Sequence, residues 1–133
     1  MLGLHDVPGL HYLQVSFPAA AAADATATLA VVVMPFKAKV KWAKVTSGAG
    51  VTGNGTNSQN WNVKKVIAGS ATEIAALDLA LGTDLVALTP TRIGGADLAV
   101  ALSEGDLVIL EREKVGDGAA LTAGLFIVAI TGG

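Results

Sequence analysis

The chain has 133 residues and no cysteine, enough for one domain with its own core and without a disulfide framework. It is 52% hydrophobic, 5% aromatic and 15% charged, with 24 alanines, 16 glycines and a net charge of -2; this excludes a disordered chain and argues against a basic nucleic-acid binder. A charged fraction well below the roughly 25% of ordinary soluble domains points to a surface partly covered by other molecules.

Residues 1–13 (MLGLHDVPGLHYL) have no clear period and contain Pro8 between Gly3 and Gly9, which reads as an irregular N-terminal arm. No basic region precedes an apolar one there, so a secretory signal is not expected. Gln14–Phe17 is a first strand candidate. The apolar stretch from Phe17 to Phe36 is interrupted by Asp24, and its uncharged part is too short for the roughly 20 residues of a spanning helix. These features predict a soluble protein made in the cytosol, with no membrane partner. The alanine run 19–23 favours a helix but is too short to hold one. Ala25–Met34, rich in Thr and Val, reads as a second strand.

Phe36–Val45 has the clearest period of two. Phe36, Ala38, Val40 and Trp42 fall on one face, and Lys37, Lys39 and Lys41 on the other. The stretch 47–58 (SGAGVTGNGTNS) has the composition of a long turn or mobile hairpin loop. Gln59–Ile67 alternates again, with Trp61 and Val63 together, and slips near Lys64 and Lys65, where a bulge is expected. Residues 71–81 fit either a helix or a strand, and their flanks favour a strand. Short pieces follow at 85–88 and 98–102. Asp106–Val115 and Leu121–Ile130 are strands joined by Gly116-Asp117-Gly118, a compact hairpin signal. Apolar residues on both faces of the last one predict a central strand, or one covered by a partner. The sum is an all-β domain: an antiparallel, jelly-roll-like β-sandwich of about eight short strands over residues 14–133.

Groups for catalysis are sparse. His5, Asp6 and His11 have no recognised metal-ligand spacing. Glu111 and Glu113 lie on one face of their strand with Arg112 and Lys114 opposite, the pattern of a solvated or intersubunit face. The glycine-rich loop leads into a strand and lacks the lysine of a phosphate cradle. The reading is therefore no enzyme, no metal and no cofactor. Trp42 and Trp61 could stack on a sugar, but their apolar strand faces fit core or interface anchors better. Charge is segregated: residues 1–65 hold six lysines against two acids, and residues 66–133 hold three basic residues against nine acids. Such blocks favour self-complementary assembly or docking on a charged lattice, although lysines also guard exposed edge strands. The candidate partner-binding residues are Lys37, Lys39, Lys41, Trp42, Trp61, Lys64 and Lys65.

The segments Gly105–Glu111, Val115–Gly118 and Ala123–Ile130, together with Phe17-Pro18-Ala19-Ala20-Ala21 and the Phe36–Trp42 strand, resemble the decoration, or cement, proteins of tailed-bacteriophage heads. The resemblance implies a β-sandwich that binds the outside of an icosahedral shell in the virion. Its implied partners are the major capsid protein and further copies of itself, as a homotrimer or homodimer. It carries no catalytic residues, and residues 1–13 would suit a segment ordered on the shell. The alternative from the residues is a phage tail or fibre module that recognises a host glycan.

Overall fold

Nine strands account for the period-two segments, and the computed structural model describes them within residues 9–95 and 97–132. In chain order they are β1 (Leu10–Phe17), β2 (Ala27–Val33), β3 (Ala38–Ser47), β4 (Ser58–Ile67), β5 (Ser70–Asp78), β6 (Thr91–Ile93), β7 (Val100–Leu102), β8 (Leu107–Val115) and β9 (Gly124–Gly132). They form two antiparallel sheets. One runs β1-β9-β3-β6, with β7 also on β3, and the other runs β2-β8-β4-β5. β6 pairs with residues 43–45 of β3 and β7 with residues 38–40, so together they act as one interrupted edge strand. First beside last and second beside next-to-last is the strand order of a jelly roll, the expected sandwich. The core between the sheets is made by the alternate residues that face inward: Phe17, Val40, Val45, Trp61, Val63, Leu110, Phe126 and Val128 are all buried.

The first strand begins at Leu10, so residues 10–13 belong to the sheet and not to an arm; their pairing with Val128–Thr131 supplies an order that the local sequence does not announce. Residues 1–8 lie outside the described residues. β9 is central, between β1 and β3. Residues 71–81 are strand β5 followed by a 3-10 turn at Leu79–Leu81, closed by Gly82 in the left-handed region. The expected slip at Lys64 is present where β4 meets β5, but the extra residue is Ile74, on β5. Of the short pieces, 98–102 contains β7, whereas 85–88 holds no strand: Leu85 makes an isolated bridge to Val51. β6 was not foreseen.

Both glycine-rich connections cross between the sheets, and neither closes a hairpin. The 48–57 segment links β3 to β4 and is fastened along its length. Ala49 donates to Thr122 Oγ1 (2.8 Å), Gly53 to Asp84 Oδ1 (2.9 Å), and Thr56 and Asn57 to Asn54 Oδ1. Gly116-Asp117-Gly118 links β8 to β9, which lie in different sheets. Its glycines have φ of 60° and 80°, and Asp117 N–H donates to Asn57 Oδ1 (2.9 Å). The sequence carries the turn chemistry of a hairpin, but the layer assignment of the strands decides where the turn leads.

One buried charge ties the β8–β9 connection to the one between β1 and β2. Arg112 faces inward and is 1% exposed. Its Nε donates to Gln59 Oε1 (2.7 Å), its Nη1 to the Asp24 carbonyl (3.0 Å), and its Nη2 to the carbonyls of Ala119 (2.6 Å) and Ala21 (3.2 Å). Arg112 thus lies on the inward side of β8, opposite the outward Glu111 and Glu113, as the alternation of this strand implies. The guanidinium accounts for the alanine run, whose carbonyls turn to a buried donor instead of propagating a helix. Burial lowers the Arg112 pKa, partly opposed by Asp24.

Candidate functional site

The seven candidate residues do not form one patch. Lys37, just before β3, and Lys39, at its start, are exposed. Lys41 is paired with Asp97 (Nζ to Oδ2, 2.7 Å), a contact that holds the Asp97 carboxyl below the usual range. Lys64 stands on the outside of the other sheet, bonded to Glu111 Oε2 (3.0 Å). Lys65, half-buried, pairs across from Thr72 and Val108, on the inward side of β4 near its end. Trp61 is fully buried against the edge of Phe17, ring centroids 5.7 Å apart, and belongs to the core.

Trp42 departs from its expected face. The register of β3 against β9 steps from Val40↔Ile130 to Trp42↔Ala129, which places a bulge at Lys41. The inserted residue reverses the alternation, so Ala43 and Val45 point into the core, and Trp42 and Lys44 point outward. Strict alternation over 36–45 would have put Lys44 with the apolar residues and Ala43 and Val45 with the lysines. That conflict was the available sign of the bulge.

On the outer face Trp42 meets Tyr12 across the central strand, with ring centroids 5.8 Å apart. Both are cross-strand neighbours of Ala129, and the rings close over this alanine, which is fully buried although it faces outward. Lys44 Nζ lies 4.5 Å from the Trp42 ring centroid and Arg92 Cζ 5.7 Å, both cation–π distances. Tyr12, Lys44 and Arg92 were missed: Tyr12 fell in the expected arm, Lys44 on the expected inner face, and Arg92 on an unforeseen strand. Around the cluster lie exposed Leu10, Leu125 and Lys39. No strand of this sheet contains Asp or Glu. The outer face is aromatic and basic.

The opposite outer face is acidic at one end and apolar at the other. Asn62 Nδ2 donates to both Glu111 Oε1 (3.1 Å) and Glu113 Oε2 (3.0 Å). Burial raises the Glu111 pKa, but the hydrogen bonds from Asn62 and Lys64 and the Lys64 charge outweigh it, for a net lowering. Glu73 pairs across from Lys64, and Asp78 shares a row with Asn60 and Glu113. Four carboxylates thus face outward against Lys64. Toward the other end the outer residues are Val31, Val33, Leu107, Ile109 and Val66. Charge is sorted by sheet, a sharper division than that between the two halves of the sequence.

Among the described residues no group of three His, Cys, Asp or Glu could hold a metal ion, and no helix is long and apolar enough to cross a membrane. No protein-family model matches the sequence, and no curated protein does. Structures of infectious bursal disease virus are similar in arrangement. That of strain Gx has a TM-score of 0.42 at 13% identity, over 95% of this chain and 32% of that one. That of strain Gt has 0.40 at 11% identity, over 96% and 34%. The chain spans about a third of the length of the chains it matches.

Proposed function

We propose that this chain is a virion structural protein that coats the outer surface of a bacteriophage capsid and stabilises contacts between capsomers. The observation that carries this reading is the exposure of large apolar side chains on the outside of both sheets: Leu10, Tyr12 and Leu125 on one, Val31 and Val33 on the other. Leu81, Val86 and Leu88 add apolar loop surface. Large apolar side chains exposed on the sheet faces of a small domain suit contact with other macromolecules, and two such faces suit a protein enclosed by neighbours. Jelly rolls recur in viral shells and in lectins; this is an analogy of fold and supports the reading only as such. The partners are the major capsid protein and further copies of the chain, and the place of action is the capsid surface, after synthesis in the host cytoplasm. Repetition on a lattice lets modest contacts hold by avidity. The test is co-sedimentation of the purified chain with shells that lack it. The expected result is saturable binding and shells that withstand more heat or chelator, and unbound protein at saturating concentration would overturn the proposal.

A second reading is favoured by the outward Tyr12–Trp42 pair, which offers a stacking surface beside Lys44 and Arg92. That arrangement suits a glycan, in a tail or fibre module. Quenching or blue shift of Trp42 fluorescence by sugars, absent in Trp42→Ala, would support it over the capsid reading.

A further inference from the structure

We infer that copies of this chain associate front to back, the basic aromatic face of the five-stranded sheet on one copy lying against the acidic face of the four-stranded sheet on the next. The occupant is a second copy because the two faces complement each other in sign. The five-stranded sheet presents Lys39 and Lys44 with Arg92 and has no acid on any strand, and Asp97 beside it is balanced by its pairing with Lys41. The four-stranded sheet presents Glu73, Asp78, Glu111 and Glu113 against Lys64, the other basic residues of its strands lying on the inward side. A two-fold dimer through either face would set like charges together, which is destabilising. Contact between unlike faces avoids that and is heterologous, so it propagates or closes into a ring.

Size fits a lattice contact. Four strands about 4.8 Å apart and about nine residues long at about 3.3 Å each make a face of roughly 570 Å². Two such faces bury about 1,100 Å², the low end of specific interfaces. Association in solution is therefore weak and strongly screened by salt. The inference rests on the proposed reading only in taking the sheet faces as contact surfaces.

Sedimentation velocity on the full chain tests it. In about 0.01 M salt, where the Debye length is about 30 Å, the protein should form reversible oligomers; in about 1 M, where it is about 3 Å, it should become monomeric. The double variant Lys39→Glu/Lys44→Glu makes both faces acidic, and Asp78→Lys/Glu113→Lys makes both basic. Each alone should self-associate at least about tenfold more weakly, and an equal mixture should recover oligomers of alternating copies. Circular dichroism establishes that each variant is folded, and the salt series on the unaltered chain stands if one is not. A monomer at all salt concentrations, salt-independent oligomers, or folded variants that fail to associate on mixing would overturn the inference. Shell binding without self-association overturns this inference alone, whereas self-association without shell binding overturns the capsid proposal alone.

Discussion

Arg112 Nε donates to Gln59 Oε1 at 2.7 Å across the pair of central strands β4 and β8, and both side chains are buried. The same guanidinium binds carbonyls at 21, 24 and 119, so one side chain fastens the β1–β2 and β8–β9 crossovers to the inner face of the sheet. A planar fork of fixed donors suits this task, and an ammonium does not.

Replacing Arg112 by Ala removes the donors and leaves several buried carbonyls and Gln59 Oε1 unpaired. It should cost about 3–5 kcal/mol of unfolding free energy in denaturant titration. Arg112→Lys should recover less than half of the loss, since one ammonium cannot reach all the acceptors.

The two tryptophans should separate cleanly. Trp61→Ala opens a core cavity and should cost about 3–5 kcal/mol. Trp61→Phe should cost less than about 2 kcal/mol, because the indole N–H it removes is buried and has no hydrogen-bond partner among the described residues. Trp42→Ala should cost about 1 kcal/mol, the loss of surface packing over Ala129 and of the cation–π contacts. Acrylamide should quench Trp42 alone.

Glu111 gives the fold an acid limb. Its folded pKa is lower than the ordinary 4.5, so its contribution is fully present above that value and is lost as pH falls through the lower folded value. Stability measured from pH 6 downward should decline below about 4.5. Glu111→Gln should flatten that decline, and an unchanged pH profile would refute the role of Asn62 and Lys64.

Two left-handed glycines should respond differently to alanine. Gly69 (φ 81°) faces open space, so Gly69→Ala should cost about 1 kcal/mol of backbone strain. A Cβ on Gly118 (φ 80°) would meet the carbonyl of Ala22, in the loop held by Arg112. Gly118→Ala should therefore cost more than about 2 kcal/mol in the same unfolding measurement.

The fold class was legible because alternation survives in most strands and the turns carry glycine. Connectivity was not. Gly116–Gly118 has the composition of a hairpin whether the next strand pairs in the same sheet or crosses to the other one, and local chemistry cannot distinguish these. The burial of Arg112 was not legible, because its acceptors are the carbonyls of residues 21, 22 and 24, distant in sequence, and of Ala119 in the following turn, and no local pattern announces them. The candidate site was half legible. The lysines and Trp42 pointed to β3, but a one-residue bulge at Lys41 changed which residues face outward, and the partners Tyr12 and Arg92 reach Trp42 through strand pairing.

The central claim is that this jelly roll works by covering and being covered by its neighbours. An electron-microscopy reconstruction of phage capsids incubated with a saturating concentration of the chain tests it most directly. The account predicts one copy after another on the shell, with Tyr12 and Trp42 on one face and Val31 and Val33 on the other buried against adjoining subunits. A particle without the chain, or one in which both faces stand bare to solvent, would contradict it.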